Sequence, residues 1–399
     1  MKPMKKCKVA LLIAGVCCSM SSMAEVKFNG FASIKAGVLF DDPTDLNSNG
    51  FIDDEEMILG GFYDKDLSFK PESVFALQVY SDLGEGLSFT AQLFAEGRSD
   101  FDVEARWVYL SYELTDEWKV NVGRMVLPMF YKSESEKIGY TVTGNRLPRS
   151  VYDDFDFAVV EGVRLNNSTE VGDWTINSSF GYYSWEGDFG TSNGDFNTSF
   201  DNIISVSAEF NYDWLTLFAG GFIAEIDFSE LNEAVIYPGI DGGAAAFGLS
   251  ATETQSLKDT VQLSGDGQYY YIGASIDYND WLMTAEYADY GIKDTGDTFN
   301  EVYYVMAGKR FNEYTVLYTY EEYDEPEDLS SLNGFSVPAQ AIGTAIINNL
   351  LTNKFTTQTV SLRYDFHSNA AFKVDVFNSK PNGSNESVSG MSFGVDLVF

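Results

Sequence analysis

The chain of 399 residues holds three cysteines, and all of them (Cys7, Cys17 and Cys18) fall in its first 24 positions. Residues 25–399 cannot be stapled by disulfides, so an exported chain of this kind must find its rigidity elsewhere. The one histidine, His367, sits in a turn-like stretch. A hydrolase relying on a histidine base therefore has no candidate in a useful place, and Cys/His zinc chemistry is excluded. Basic charge is also scarce: 25 Lys and Arg stand against 60 Asp and Glu, a formal net charge of −35. Such a surface is a poor match for nucleic acid or anionic lipid and a good one for divalent cations. Beyond residue 24 no apolar run approaches the roughly 20 residues of a membrane-spanning helix. The glycine-rich run GIDGGAAAFG lacks the strand-to-helix setting and the lysine of a phosphate loop.

Residues 1–24 themselves have four lysines, an apolar stretch from Val9 to Cys18 and small residues ending at Ala24. That three-part pattern predicts a cleaved secretory signal. Taking its four lysines from 25 leaves 21 basic residues against the same 60 acids in the exported part, residues 25–399.

With no helix available, periodicity decides between a soluble β-protein and a membrane β-barrel. In VKFNGFASIKAGVLF, Phe28, Ala32, Ile34, Val38 and Phe40 share one face while Lys27, Asn29, Ser33 and Lys35 share the other. That is a strand with one greasy side. The closing residues repeat it, with Met391, Phe393, Val395, Leu397 and Phe399 opposite Ser392, Gly394 and Asp396. A soluble sandwich would also alternate, but its hidden face would not place Arg363, Asp365, Lys373, Asp375 and Glu286 opposite the apolar set in mid-strand.

Connections alternate in length as well. Short turns fall at Gly84–Gly86, Thr115–Glu117, Val171–Asp173, Tyr212–Trp214, Asn279–Trp281, Asn312–Tyr314 and His367–Ala370, with longer links near 41–72, 131–155, 229–268 and 324–356. This predicts an all-β fold, a transmembrane antiparallel β-barrel of sixteen strands with short periplasmic turns and long extracellular loops. A further hairpin inside one of the links would make eighteen. Glu117-Trp118, Asp173-Trp174, Asp213-Trp214 and Asp280-Trp281 put four of the six tryptophans at one rim, the place of an interfacial aromatic girdle. Ile342, Ile346 and Leu350 are spaced for a short helix within the link 324–356.

The hairpin SVFALQVYSDLGEGLSFTAQLFAEG, the next hairpin ending in Gly123-Arg124, and the terminal Phe399 resemble the general porins of Gram-negative outer membranes. The likeness is close over 26–130 and 388–399 and architectural between them. It implies a homotrimer in the outer membrane among lipid and lipopolysaccharide, with Phe399 as the signal to the barrel-assembly machinery. It also implies a channel for small hydrophilic solutes, narrowed by an inward third loop, here residues 131–157. On that loop Glu134, Glu136, Asp153 and Asp154 are the acids expected to face wall arginines, with Arg106 and Arg124 as the candidates. Strict alternation aims Arg124 at lipid, so a bulge at Gly123 is expected. The acidic excess predicts cation preference. A substrate-specific channel and a non-transport scaffold or adhesin, binding partners through acidic loops, share these features.

DLNSNGFIDDEE, residues 45–56 in the first outer loop (41–72), fits a twelve-residue calcium loop. Asp45, Asn47, Asn49, Phe51 through its carbonyl, Asp53 and Glu56 fall at the ligand positions, with Gly50 at the sharp turn. Without flanking helices it reads as a structural calcium clamp of weak affinity and not as a sensor. A chain with 60 acids also throws up such runs by chance.

Overall fold

The computed structural model describes residues 25–40, 63–152, 155–191, 194–296, 299–326, 328–350, 354–381 and 387–399. Residues 1–24, the whole of the 45–56 motif, and Asp153 and Asp154 lie outside them.

Sixteen antiparallel strands close into one barrel. The first eight are β1 (Val26–Leu39), β2 (Val74–Gly84), β3 (Leu87–Glu96), β4 (Glu104–Glu113), β5 (Trp118–Val126), β6 (Val159–Val171), β7 (Trp174–Thr191) and β8 (Gly194–Tyr212). The remainder are β9 (Leu215–Asp227), β10 (Gly265–Tyr278), β11 (Trp281–Ile292), β12 (Asn300–Phe311), β13 (Tyr314–Asp324), β14 (Lys354–His367), β15 (Ala370–Pro381) and β16 (Val388–Val398). Each strand pairs with its neighbours in sequence, and β16 returns to β1 in register from Phe31↔Val398 to Leu39↔Gly390. Closure leaves no unpaired edge in the ring, which is what hydrocarbon demands of a spanning sheet.

The alternation read from the sequence becomes two surfaces. Ile34, Val122, Ile204, Ile223, Val305 and Val360 are exposed on the outside, while Ser33, Ser111, Thr319, Ser361 and Ser392 are buried inside. The seven short turns fall where the sequence placed them. At Asn279 and Asp280 both φ angles are positive, 49° and 67°, the geometry of the two-residue turn whose twist matches a hairpin. On this rim Trp174, Tyr212, Trp214 and Tyr278 form a chain of ring contacts 5.1 to 6.4 Å apart. The half-wet indoles suit a membrane interface.

Phe399 completes the seam. Its N–H and carbonyl pair with Gly30 at 2.9 and 2.8 Å, and its ring stacks on Phe75 at 6.5 Å. Gly30 is required there, because a Cβ would lie 2.4 Å from that ring.

At the opposite end three helices gather from two loops: α1 (Tyr237–Phe247), α2 (Ala251–Val261) and α3 (Val337–Leu350). Ile240, Leu257, Ile342, Ile346 and Ile347 bury their side chains between them. Gly243 lets α1 approach α3, since a Cβ there would meet Ile342 at 2.8 Å. No described helix is long and apolar enough to cross a membrane.

Candidate constriction and lumen

The link between β5 and β6 does not stay outside. Its first and last turns press aromatic rings onto the inner wall: Tyr131 stacks on Phe218 of β9 at 4.0 Å, and Phe130 meets Tyr269 of β10 at 5.5 Å. Phe155 meets Tyr290 of β11 at 5.7 Å, and Phe157 stacks on Phe200 of β8 at 4.3 Å. These rings belong to one apolar cluster that continues upward through Phe228 and Leu231 to the three helices. On this sector, β7 to β12, the cluster occupies the upper lumen.

The middle of the loop is held differently, by charge and by its own backbone. The Lys373 ammonium, fully buried on β15, donates to the carbonyl of Gly139 at 2.6 Å and to that of Val142. The same ammonium lies 2.8 Å from Asp396 of β16. Arg363 of β14 donates to the carbonyls of Tyr140 and Val142, both at 2.9 Å. Lys35 of β1 donates to the carbonyl of Asn145, whose N–H donates in turn to Asp375 at 3.0 Å. Further along, Ser150 N–H donates to Glu321 at 2.9 Å, and Tyr131 N–H and Tyr152 O–H donate to Glu286 at 2.9 and 2.6 Å. A loop whose regular structure is two short 3₁₀ turns, Gly139–Thr141 and Asp156–Ala158, leaves many N–H and C=O groups unpaired, and inside a barrel they must find partners on the wall. The mid-strand ions supply them.

Glu134 pairs with Arg164 of β6, which is buried, donates to Tyr183 O–H at 3.0 Å and also binds the carbonyl of Val126. Elsewhere the expected polarity is reversed. Lys137 of the loop meets Glu96 of β3 at 3.4 Å, and Arg146 of the loop lies 3.9 Å from Glu72. Glu136 lies beside Lys137 at 3.6 Å.

Of the two wall arginines singled out in the sequence, Arg106 is inside, buried with its guanidinium 5.1 Å over the Phe94 ring. Arg124 is not, and this corrects the expectation. Strands β4 and β5 pair without a shift from Glu113↔Lys119 to Val108↔Arg124, so no bulge forms at Gly123. Arg124 therefore stays on the face of Val122, near the long-loop end of β5. There it is paired with Glu161 of β6, and its Nε donates to Ala105 O at 2.9 Å. The ion pair and the rim position remove the reason to turn inward. The bulge lies on β4, where Gln92 pairs with Trp107 and Leu93 with Ala105, leaving Arg106 as the extra residue.

Sequence reasoning missed Arg164 as a wall cation. The signal was present, because Arg164 alternates with the apolar Val163 and Leu165 on β6.

Two cavities flank the loop, besides one of about 290 Å³ between it and β9 to β13. One, of about 890 Å³, opens toward the short-turn rim and is lined by Asn121, Asn166, Asn177, Ser179 and Ser207 on the wall and by Tyr131 and Glu134 on the loop. The other, of about 120 Å³, lies toward the long loops between the loop and β1 to β3. Among the described residues no three carboxylate, histidine or cysteine side chains are grouped to hold a metal.

No protein-family model matches the chain. No curated protein matches it either. Solved structures do. The outer membrane channel DcaP of Acinetobacter baumannii superposes with a TM-score of 0.57 at 12% identity, covering 95% of this chain and 99% of that one. OmpF of Salmonella typhi, solved with daunomycin, gives 0.56 at 10%, covering 94% and 98%. OmpT of Vibrio cholerae in its trimer form gives 0.53 at 12%, covering 94% and 99%. The chain thus has the barrel fold of these outer-membrane proteins.

Proposed function

We propose that this barrel is a porin, a water-filled channel through which small hydrophilic solutes and ions diffuse passively, and that it performs no catalysis. The observation that carries this reading is the loop 127–158. It narrows the lumen without filling it, because its backbone is spent on one side of the wall and an amide- and hydroxyl-lined cavity of about 890 Å³ persists on the other. Its Asn and Ser side chains offer hydrogen bonds to water and solute, and Glu117, Lys119, Lys132, Glu134, Arg164 and Glu209 add charges of both signs to the same lining. Single-channel recording on refolded protein in a planar bilayer tests it: discrete conductance steps are expected, with vesicle swelling that falls as sugars grow larger. A well-folded barrel that never conducts would instead support a scaffold or adhesin. The three-helix roof favours one refinement, a channel with a restricted outer mouth and a narrower solute range.

The oligomer we propose is a homotrimer, in keeping with the trimer form of the Vibrio cholerae structure; sedimentation in detergent tests it. Calcium is proposed for the 45–56 loop as a structural clamp, with Phe399 serving the assembly machinery. Titration of calcium against wild type and Glu56→Gln decides the first, since equal isotherms would dismiss it.

A further inference from the structure

On the short-turn side of the constriction loop, four consecutive strands turn amides and hydroxyls into the cavity of about 890 Å³. Asn121 stands on β5, Asn166 and Ser168 on β6, Asn177 and Ser179 on β7, and Ser207 on β8. Register brings them together: Asn166 lies opposite Ser179, Ser179 opposite Ser207, and Ser168 opposite Asn177. They form one patch, and none of its side chains is charged.

Hydrogen bonds within the wall decide which atoms the patch offers. Ser111 O–H donates to Asn121 Oδ1 and Ser168 O–H to Asn177 Oδ1, both at 2.8 Å. Each amide thus spends its oxygen on the wall and keeps its two N–H donors. Among the described residues those donors have no acceptor, and Asn166 makes no side-chain hydrogen bond. The ions of the same lining are engaged or stand at its edge. Arg164 is held by Glu134 and Tyr183, and Glu209 accepts from Asn211 at 2.7 Å. Lys132 lies over the Tyr131 ring at 4.0 Å, while Glu113, Asp116, Glu117 and Lys119 sit at the short-turn rim.

Uncommitted amide donors beside hydroxyls suit a neutral solute whose polar groups both give and take hydrogen bonds. Half-buried Tyr109 lines the same cavity and offers apolar surface to its C–H groups. Resting on the channel reading above, we infer that this patch is a binding site for neutral saccharides of about two or three rings, a size that such a cavity encloses. Flux of those solutes through the channel is then saturable.

The test is single-channel recording with maltotriose on both sides, for wild type, Asn166→Ala/Asn177→Ala and Gln78→Ala. Gln78, an inward amide of β2 bonded to Gln92 and outside this cavity, is the control. In the wild type maltotriose should interrupt the current, with a blocked fraction that saturates as concentration rises. The half-blocking concentration should rise about ten-fold in the asparagine variant, through two lost hydrogen bonds, and stay unchanged in the control. Triglycine, a small solute with charged ends, should not block at the same concentrations. Current that falls only in proportion to added sugar, a half-blocking concentration unmoved in the asparagine variant, or equal block by triglycine overturns the site. Should the double variant fail to fold, Asn121→Ala takes its place in the same comparison. A wild-type barrel that never conducts overturns the channel reading instead; calorimetric titration of maltotriose into the same refolded protein then decides the site alone, and the absence of binding heat overturns it.

Discussion

The two flanks of the constriction loop reach the same outcome by opposite chemistry. Against β8 to β11 the loop is held mainly by rings, with Tyr131 on Phe218 and Phe157 on Phe200, and Glu286 of β11 adds a carboxylate that accepts from Tyr131 N–H and Tyr152 O–H. Against β13 to β1 it is held by ions acting on backbone, with Lys373 on Gly139 and Val142 and with Asp375 on Asn145. Aromatic packing is non-directional and tolerates small shifts, whereas a buried ammonium with two carbonyls and a carboxylate is satisfied in one arrangement only. The oily side supplies bulk stability and the ionic side fixes where the loop lies.

Removing Lys373 should have the largest effect. Lys373→Met removes the nearer of two cations beside buried Asp396, leaving Lys35 at 4.0 Å, and frees residues 139–142, a loss of about 3 kcal/mol by urea unfolding in vesicles. Channel traces should become noisy as the loop explores other seats. Lys373→Met/Asp396→Asn should recover part of that stability, because the buried carboxylate that lost its nearer cation is gone as well, while Lys35 keeps its bond to the carbonyl of Asn145. If the single variant is as quiet and as stable as wild type, the ionic latch is decoration.

On the other flank Phe157→Ala should cost about 1.5 to 3 kcal/mol of buried ring area while leaving the noise unchanged. Noise equal to that of Lys373→Met would erase the distinction between the flanks. Smaller still is Glu134→Gln. The Glu134 carboxylate is well exposed although Arg164 is not, so solvent screening limits the loss to about 0 to 1 kcal/mol, read in the same unfolding assay.

The smallest effect lies in the roof. Ser336 donates its N–H to Glu253 at 2.9 Å and holds that carboxyl below its ordinary 4.5. A lowered folded value means that the contact contributes above the unfolded pKa and fades as pH falls through the folded one. Hydrogen exchange at Ser336 should therefore quicken between pH 5 and pH 3 in wild type and show no such extra step in Glu253→Gln.

Much of this was legible in the chain. Turn residues and strict alternation give the hairpins, and Glu286, Lys373 and Asp375 announced an inward polar face because charges in mid-strand have nowhere else to go. Arg124 misled, since a Gly-Arg pair was credited with a bulge that the register does not contain; the neighbouring Glu161 on β6 could have been read as its outward partner. Phe200, Phe222 and Tyr269 were illegible as lumen residues. Aromatic rings normally mark the lipid side of such strands, and only the loop rings packed on them explain their inward turn. Local pattern assigns faces; it does not say which distant segment will cover one.

The seat of Gly139 has a temporal meaning. A Cβ at that position would fall 2.1 Å from Asp396 of β16 and 2.6 Å from Ser33 of β1. Its niche thus straddles the first and last strands of the ring and cannot exist until they meet. The loop can find its final place only after the cylinder has sealed, so an unfinished barrel carries an unseated loop, and a seated loop certifies that the circle is complete.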